Sequence, residues 1–386
     1  MKSNLFRWFA AAVLILSATA AAHGNVKGGI TVSARQVTAV PEQYRRAVSA
    51  ELRGRILDVE YEVKNYIDPS RMLVSDRPIE RAEAGREVGL GEPILKKCNV
   101  YLPPGYGAED IERKYNVLYL LHGVGGNRFE WLYGSGRVDG NFVIANIFDN
   151  LIANGEVEPL IVVFPEGRSA HDWESTAFTA QNTNLLGFYY FDYELRYDLI
   201  PFIEANYNTY ANIAETSPEA VQYNRKHRAI AGLSMGGMQA LNLILGGYRF
   251  DHADYVERAQ RLPNGLAQTV PAPGMHDLFA YVGAFSNAPT STAGIVLGKS
   301  IGLSPHEIDL LYLTCGDADG IAIRSYKDSI EGLRAGADDR LRAFYQVVIR
   351  GAGHDFGVWN HGAYNFVRLC FGRSYEQNTV VLTLDK

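Results

Sequence analysis

The stretch of sequence that decides the fold lies in the middle of the chain and reads His227-Arg228-Ala229-Ile230-Ala231-Gly232-Leu233-Ser234-Met235-Gly236-Gly237. Apolar residues up to Gly232 predict a buried strand, and a helix-forming run begins directly after the stretch. Between them, Gly232, Ser234 and Gly236 form a G-x-S-x-G pattern. A sharp strand-to-helix turn holds the middle residue of this pattern in a strained backbone and exposes its side chain above the sheet. Ser234 is therefore a candidate nucleophile, with a glycine-rich turn that carries no chemistry as the alternative.

Buried strands and helices alternate on both sides of this stretch. Further strands are predicted at 54–63, 94–102, 117–121, 160–164, 279–285, 310–315 and 343–349, with a short edge strand at 379–384. Helices are predicted at 142–153, 193–207, 238–245, 321–335 and 358–369. The alternation indicates an α/β fold, with a mostly parallel central sheet and helices on both faces. Such sheets place their sites at the carboxyl ends of the strands.

The N-terminus has the pattern of a secretory signal peptide over residues 1–22. Lys2 and Arg7 precede an apolar run at 8–22, and the small residues Ala18-Thr19-Ala20 within it offer a cleavage site. The run is short for a membrane span of about 20 residues, so we expect no stable membrane insertion. A retained N-terminal anchor is the alternative. The sequence thus predicts a secreted or periplasmic protein with a leader at 23–52, which contains one helix at 41–52, and one catalytic domain at 53–386.

The composition limits the partners that we expect. With 47% hydrophobic residues, the chain of 386 residues can bury a sizeable core. The formal net charge of -6 and the lack of basic runs argue against a nucleic acid partner. Three cysteines occur, Cys98, Cys315 and Cys370, and their spacing does not predict a metal site. Cys98 and Cys315 lie in predicted strands, which favours buried thiols. The odd number leaves at least one thiol free or in an intermolecular bond, and whether any two of the three pair stays open.

The residues that a serine nucleophile requires follow later strands of the chain. A base must lie within hydrogen-bond reach of the serine, and an acid must orient that base. His354 lies between the last buried strand and the last helix, which favours it as the base, with a histidine that only caps the loop as the alternative. Asp317 and Asp319 both follow the strand at 310–315, so position permits either as the acid, and both are also typical turn residues. Asp355 is a poor acid because the side chains of adjacent residues tend to point apart.

Two backbone amides are expected to bind the oxyanion of the reaction. The amide of Met235 follows the nucleophile at a helix N-terminus, where the helix dipole favours negative charge. The second amide is predicted at Val124, in the HG-x-GG turn that begins at His122. We interpret His122 itself as a buried structural residue of that turn.

Aromatic residues near the predicted site bear on the substrate. Trp173 and the aromatic run at 188–191 follow the strand at 160–164, and such rings can stack on an aryl acid or a sugar. Trp173 is the candidate substrate-binding residue, with packing inside a lid as the alternative. Four segments of unclear role have the composition of surface excursions or insertions: 67–93, 167–190, 209–226 and 248–277.

Three stretches together resemble the feruloyl esterases among the family 1 carbohydrate esterases: Tyr119-Leu120-Leu121-His122-Gly123-Val124-Gly125-Gly126, Ala229-Ile230-Ala231-Gly232-Leu233-Ser234-Met235-Gly236-Gly237 and Gly353-His354-Asp355-Phe356-Gly357-Val358-Trp359. The similarity covers residues 95–372, interrupted by the insertions. It implies an α/β-hydrolase fold that uses no metal and no organic cofactor. In that family the acid follows a Cys-Gly-x-x-Asp pattern, which here favours Asp319 over Asp317.

The resemblance implies a secreted serine carboxylesterase that hydrolyses hydroxycinnamoyl esters on plant hemicellulose through an acyl-enzyme intermediate. Its catalytic residues are then Ser234, Asp319 and His354, with Val124 and Met235 in the oxyanion hole. The partner is a small-molecule or polysaccharide-linked ester. Alternatives are an esterase or acyltransferase that acts on another acyl group, such as acetylated xylan or a siderophore ester, and a non-catalytic carbohydrate-binding protein of the same fold.

Overall fold

The part of the chain that the computed structural model describes comprises residues 37–70, 73–74, 91–107, 112–134, 141–177, 186–250, 269–271, 273–372 and 374–386, all within one unit at 35–386. The predicted signal peptide, the first part of the predicted leader and most of the predicted insertions at 67–93 and 248–277 lie outside the described residues. Within the described ranges, no helix combines the length and the hydropathy needed to cross a membrane.

Eleven strands are found in the described residues: β1 Arg55–Lys64, β2 Pro93–Leu102, β3 Asn116–Leu121, β4 Leu160–Pro165, β5 Arg228–Leu233, β6 Tyr248–Phe250, β7 Thr269–Pro271, β8 Tyr281–Phe285, β9 Ile308–Gly316, β10 Leu341–Arg350 and β11 Asn378–Asp385. Nine of them form one sheet in the order β1-β2-β4-β3-β5-β8-β9-β10-β11. β2 is antiparallel to both of its neighbours, and the remaining pairs are parallel. β6 and β7 form a separate antiparallel pair. The predicted, mostly parallel sheet is confirmed, as is the edge strand at the C-terminus.

The apolar character of each strand matches its place in the sheet. Every residue of β3, β4, β5, β8 and β9 is buried, because helices cover both faces of the sheet centre. Alternate residues of β3 enter different cores: Val117 and Tyr119 pack on one side of the sheet, Leu118 and Leu120 on the other. β11 has no such cover, and its residues alternate between half-buried and exposed.

The strand register brings several carboxyl ends to one edge of the sheet. Leu121 of β3 is paired with Gly232 of β5, and Leu233 is paired with Phe285 of β8. Further along the sheet, Gly316 of β9 is paired with Ile349 of β10. Loops that leave these strands therefore begin side by side, and this edge is where the predicted site residues lie.

The described residues form ten α-helices: α1 Glu130–Tyr133, α2 Ile144–Ala153, α3 Phe191–Glu194, α4 Ile200–Asn206, α5 Pro218–Arg225, α6 Met235–Gln239, α7 Gly294–Gly302, α8 Ile323–Ile330, α9 Leu333–Ala337 and α10 Phe356–Leu369. Two π-helical segments also occur. Leu195–Leu199 joins α3 to α4, and Ala240–Ile244 extends α6. Short 3-10 helices occur at Glu42–Arg45, Ala50–Leu52, Phe188–Tyr190 and Asp338–Arg340. The helix predicted at 321–335 is interrupted between α8 and α9 at Gly332, whose φ is +71°.

The prediction of one helix at 41–52 is wrong, since this segment holds only two 3-10 helices. Tyr44 is the only residue buried in them, so the segment lacks the continuous apolar face that stabilises a longer helix. The Tyr44 hydroxyl donates to Glu156, and the amide of Thr38 donates to Asn365 Oδ1 over 3.0 Å. These contacts attach residues 37–52 to α10 and to the loop after α2.

The predicted burial of two thiols is confirmed. Cys98 in β2 and Cys315 in β9 are both fully buried, and Cys370, which follows α10, is also buried. Burial, with the nearby Asp319 carboxylate, raises the pKa of Cys315 to about 12, so this thiol stays protonated.

Candidate active site

Ser234 occupies a strained turn between β5 and α6. Its φ of 51° lies in the left-handed region that side chains other than glycine rarely adopt. Two glycines make the turn sterically possible. A Cβ at Gly232 would lie 2.4 Å from the backbone carbon of Gly236, and a Cβ at Gly236 would lie 2.6 Å from the carbonyl oxygen of His122. The strained strand-to-helix turn expected from the G-x-S-x-G pattern is thus present.

The segment after β8 holds this turn in place. The amide of Ser234 donates to the carbonyl of Phe285 over 2.9 Å, and the amide of Ala288 donates to the carbonyl of Ser234 over 3.0 Å. Between them, Ser286 is fully buried with a φ of 48°, and its amide donates to Thr314 of β9 over 2.7 Å. Sequence reasoning missed Ser286, because its only signal was a position directly after a predicted strand.

His354 and Asp319 are joined by a hydrogen bond. His354 Nδ1 lies 2.9 Å from Asp319 Oδ2, while Asp319 Oδ1 accepts from the amides of Ile321 and Ala322 over 3.0 and 2.8 Å. Burial by itself raises the pKa of the Asp319 carboxyl, but the hydrogen bond from His354 and those from the backbone outweigh it, so the pKa lies below its ordinary value. Asp319 is therefore a carboxylate at neutral pH and fixes the imidazole in one orientation.

The two other aspartates near His354 have different roles. Asp317 is exposed and accepts a hydrogen bond from the amide of Gly351 over 2.7 Å. Asp355 caps the N-terminus of α10, where it accepts from the amide of Gly357 over 2.7 Å. Of the acids that the sequence left open, the structure brings Asp319 to the imidazole.

His122 is a buried residue of the turn before α1. Its ring nitrogens each lie 2.7 Å from a backbone carbonyl oxygen, of Gly123 and of Glu166. Burial, assisted by the nearby charge of Arg168, lowers the pKa of His122 to about 3, so the ring is neutral at physiological pH. This agrees with the structural role predicted for His122.

A cavity of about 510 Å³ opens between the turn of Ser234 and the loop of His354. The residues that line it are Gly123, Val124, Gly126, Glu130, Tyr189, Leu233, Ser234, Met235, Ala288, Pro289, Thr290, Ile321, His354 and Trp359. Val124 and Met235 thus border the same space as Ser234. Most of the lining is apolar or aromatic, which suits a flat aromatic ligand.

Trp173 is not among the described residues that line this cavity. Its ring lies over the ammonium group of Lys96, with Nζ 5.8 Å from the ring centroid. Two other aromatics occupy the cavity wall: Tyr189, from the aromatic run at 188–191, and Trp359, whose ring meets that of His354 edge-on at 5.2 Å. Trp359 ends the stretch from Gly353 that carries the resemblance, and this place, five residues after His354, was the signal that could have identified it.

The Esterase family model matches residues 95–252 of the chain. The endo-1,4-beta-xylanase Y of Acetivibrio thermocellus is 32% identical over 295 residues, which are 73% of this chain and 23% of that protein. The endo-1,4-beta-xylanase/feruloyl esterase of Xylanibacter ruminicola is 28% identical over 273 residues, which are 69% of this chain and 28% of that protein. The chain thus spans about a quarter of the length of these curated relatives.

The chain is also similar to a solved structure in its three-dimensional fold. That structure is a serine-to-alanine variant of the feruloyl esterase module from Clostridium thermocellum, complexed with sinapinate. The TM-score is 0.54 at 25% identity, over 88% of this chain and 95% of that module. The resemblance to the feruloyl esterases is confirmed. This feruloyl esterase-like chain has the predicted α/β-hydrolase fold.

Proposed function

We propose that the protein is a serine carboxylesterase of the feruloyl esterase type, with its catalytic domain at 53–386. Its substrates would be hydroxycinnamoyl esters on plant hemicellulose. The observation that carries the proposal is the bond between His354 Nδ1 and Asp319 Oδ2, beside the cavity that Ser234 lines. Two findings support this substrate class. The structurally similar feruloyl esterase module binds sinapinate, and the curated relatives are xylanases.

The reaction follows from the arrangement of these groups. With Nδ1 engaged by Asp319, His354 presents Nε2 to take the proton of the Ser234 hydroxyl as its Oγ attacks the ester carbonyl. The amides of Val124 and Met235 donate to the oxyanion of the tetrahedral intermediate. His354 then gives its proton to the departing alkoxide, which leaves an acyl group on Ser234.

A water molecule completes the cycle. His354, neutral again, takes a proton from this water as its oxygen attacks the acyl carbonyl, and then returns the proton to Ser234 Oγ as the bond from Oγ to the acyl carbon breaks and the carboxylic acid is released. Asp319 stabilises the imidazolium in both halves of the reaction because its carboxylate stays charged and fixed. The apolar wall excludes bulk water from the aromatic part of the acyl group and strengthens the oxyanion interactions.

The experiment compares the wild-type protein with Ser234→Ala on methyl ferulate, acetylated xylan and a feruloyl ester supplied with a sugar acceptor. We expect the wild type to release ferulic acid and the variant, folded by circular dichroism, to release none. Hydrolysis that persists in Ser234→Ala would contradict the mechanism. Preferred release of acetate, or acyl transfer to the sugar, would contradict the substrate or the reaction and leave Ser234 as the nucleophile.

Export is part of the proposal and has its own test. The basic start and apolar run at 1–22 support a cleaved signal peptide. Expression of the full chain in a secreting bacterial host should yield mature protein outside the cytoplasm, with an N-terminus shortly after the small residues Ala18-Thr19-Ala20. Retention of the full-length chain in the membrane fraction would indicate an anchor instead.

A further inference from the structure

The cavity that holds Ser234 contains a carboxyl group that the proposed reaction does not use. This group belongs to Glu130, the first residue of α1, which lines the cavity. The other described lining side chains, apart from Ser234 and His354, are apolar or aromatic or, at Thr290, carry a hydroxyl. A carboxyl group in such apolar surroundings costs free energy unless a partner forms a hydrogen bond with it.

A glycine makes room for this side chain. A Cβ at Gly126 would lie 3.0 Å from Glu130 Cγ and 3.1 Å from Glu130 Oε2. Gly126 is buried, lines the cavity, and donates its amide to the carbonyl of Gly123 over 3.2 Å. The Glu130 side chain therefore lies against the same HG-x-GG turn that carries Val124, close to the position expected for the reacting ester.

Among the described residues, the carboxyl group of Glu130 has neither a hydrogen-bond donor nor a positive charge beside it. Burial raises the pKa of Glu130, and no charge or hydrogen bond from a described residue lowers it. The nearest cation along the chain, Arg128, is engaged elsewhere, since its guanidinium donates to Asp58 over 3.0 Å and to Glu166 over 2.8 Å. A half-buried acceptor of this kind is stabilised when a ligand supplies the missing donor.

We infer that Glu130 accepts a hydrogen bond from a hydroxyl group of the ester substrate and so selects hydroxylated esters over those that lack the group. The inference rests on the proposed function. In a hydroxycinnamoyl ester of a sugar, hydroxyl groups occur on the phenol ring and on the sugar. A site built around a hydroxyl rejects the analogue without it, because the polar group of the protein is then left unpaired.

The test uses the full chain and three esters: methyl ferulate, the same ester with its phenol methylated, and feruloyl arabinose. Glu130→Met removes the acceptor at similar size, Glu130→Gln keeps an acceptor oxygen, and Glu219→Gln on the exposed face of α5 is the matched control. Two ratios of kcat/KM are measured for each variant. The first compares methyl ferulate with its phenol-methylated form, and the second compares feruloyl arabinose with methyl ferulate.

We expect Glu130→Met to lower one of these ratios by about tenfold. A fall of the first ratio assigns the phenol hydroxyl, and a fall of the second assigns a sugar hydroxyl. Glu130→Gln should lower the same ratio less, because its carboxamide oxygen still accepts, and Glu219→Gln should change neither.

Unchanged ratios in a folded Glu130→Met variant overturn the inference and leave the proposed function intact. If that variant does not fold, Glu130→Gln decides: a fall of about twofold supports the inference, and unchanged ratios overturn it. A wild-type protein that hydrolyses none of the three esters overturns the proposed function, and the inference with it.

Discussion

His354 Nδ1 lies 2.9 Å from Asp319 Oδ2, and this bond connects the loops that follow two neighbouring strands, β10 and β9. Asp319 is fully buried and accepts two further hydrogen bonds from the backbone. Asp317, two residues earlier, is exposed and holds the amide of Gly351 instead. Asp319 therefore orients the imidazole, whereas Asp317 fixes a turn.

Asp319→Asn should remove most of the catalysis while Asp317→Asn retains it. The asparagine can no longer stabilise the imidazolium, and its amide favours the wrong tautomer of His354, so we expect kcat to fall by about a thousandfold or more. Steady-state kinetics on an aryl ester, with melting curves for both variants, provide the measurement. Similar losses in the two variants would show that neither aspartate acts through the imidazole alone.

Gly232→Ala should disrupt the turn that carries Ser234. The added methyl group would lie 2.4 Å from the backbone carbon of Gly236, which cannot move without distorting α6. We expect the free energy of unfolding to fall by about 3 kcal/mol, at the upper end for an overpacked site. Gly320→Ala is the control, because a Cβ there meets no atom within 4 Å. Urea unfolding of both variants checks this, and equal stabilities would contradict the crowding seen at Gly232.

His227 should make the protein less stable in mild acid. Its ring lies between those of Tyr210 and Tyr223, at centroid distances of 4.7 and 4.4 Å, and its Nδ1 lies 2.6 Å from Asn116 Oδ1. Burial, with the charge of Arg228, lowers the pKa of His227 to about 4. The unfolded chain, with a histidine pKa of about 6.5, therefore binds more protons than the folded protein between these values.

The stability that the neutral ring of His227 contributes is therefore complete above a pH of about 6.5, and it is lost as the pH falls toward about 4. Between pH 7.5 and 5 the wild type should lose about 1 kcal/mol more stability than His227→Gln, after allowance for the partial exposure of the ring. Urea unfolding at the two pH values gives the difference. A pH dependence shared equally by the wild type and the variant would assign the effect to other groups.

Lys96→Met should destabilise the fold strongly, and a second substitution should restore part of the loss. Lys96 and Glu194 are both fully buried, with Nζ 2.6 Å from Oε2, and Glu194 also accepts from Tyr61 and Ser169 over 2.6 and 2.9 Å. Removal of the ammonium leaves a buried carboxylate uncompensated, which costs about 3 to 5 kcal/mol.

In the double variant Lys96→Met, Glu194→Gln, the neutral amide removes the uncompensated charge, so its melting temperature should lie above that of Lys96→Met. Thermal unfolding of the wild type, the two single variants and the double variant measures the coupling between the residues. Additive losses would show that the pair does not act as a unit.

The alternation of strands and helices, and the turns at Ser234 and His122, follow from the sequence alone because their signals are local. Apolar runs as short as β3 and β5 can be buried on both faces only in a covered sheet. The glycines around Ser234 mark a close approach of backbone segments that leaves no room for a Cβ. Even so, the pattern did not show that the segment at 41–52 lacks the apolar face of a helix.

The direction of side chains in loops was decided by the tertiary structure. Asp317 and Asp319 follow the same strand, and the hydrogen bonds that each carboxyl group accepts determine which of them faces His354. Asp317 accepts from Gly351, and Asp319 accepts from Ile321 and Ala322. In the same way, Trp173 and Trp359 are equally aromatic in the sequence, yet only Trp359 lines the cavity.

The sequence by itself therefore determined the α/β fold and the strands after which Ser234, Asp319 and His354 come, and the resemblance implied the α/β-hydrolase type. Only the tertiary structure decided that the segment after β8 holds the serine turn and that Glu130 lies in the cavity wall. It also brought Asp319, which the resemblance favoured, to the imidazole. The physical reason is range: hydrophobic periodicity and glycine spacing act over a few residues, whereas these contacts join residues that are far apart in the chain and are brought together by the register of the sheet.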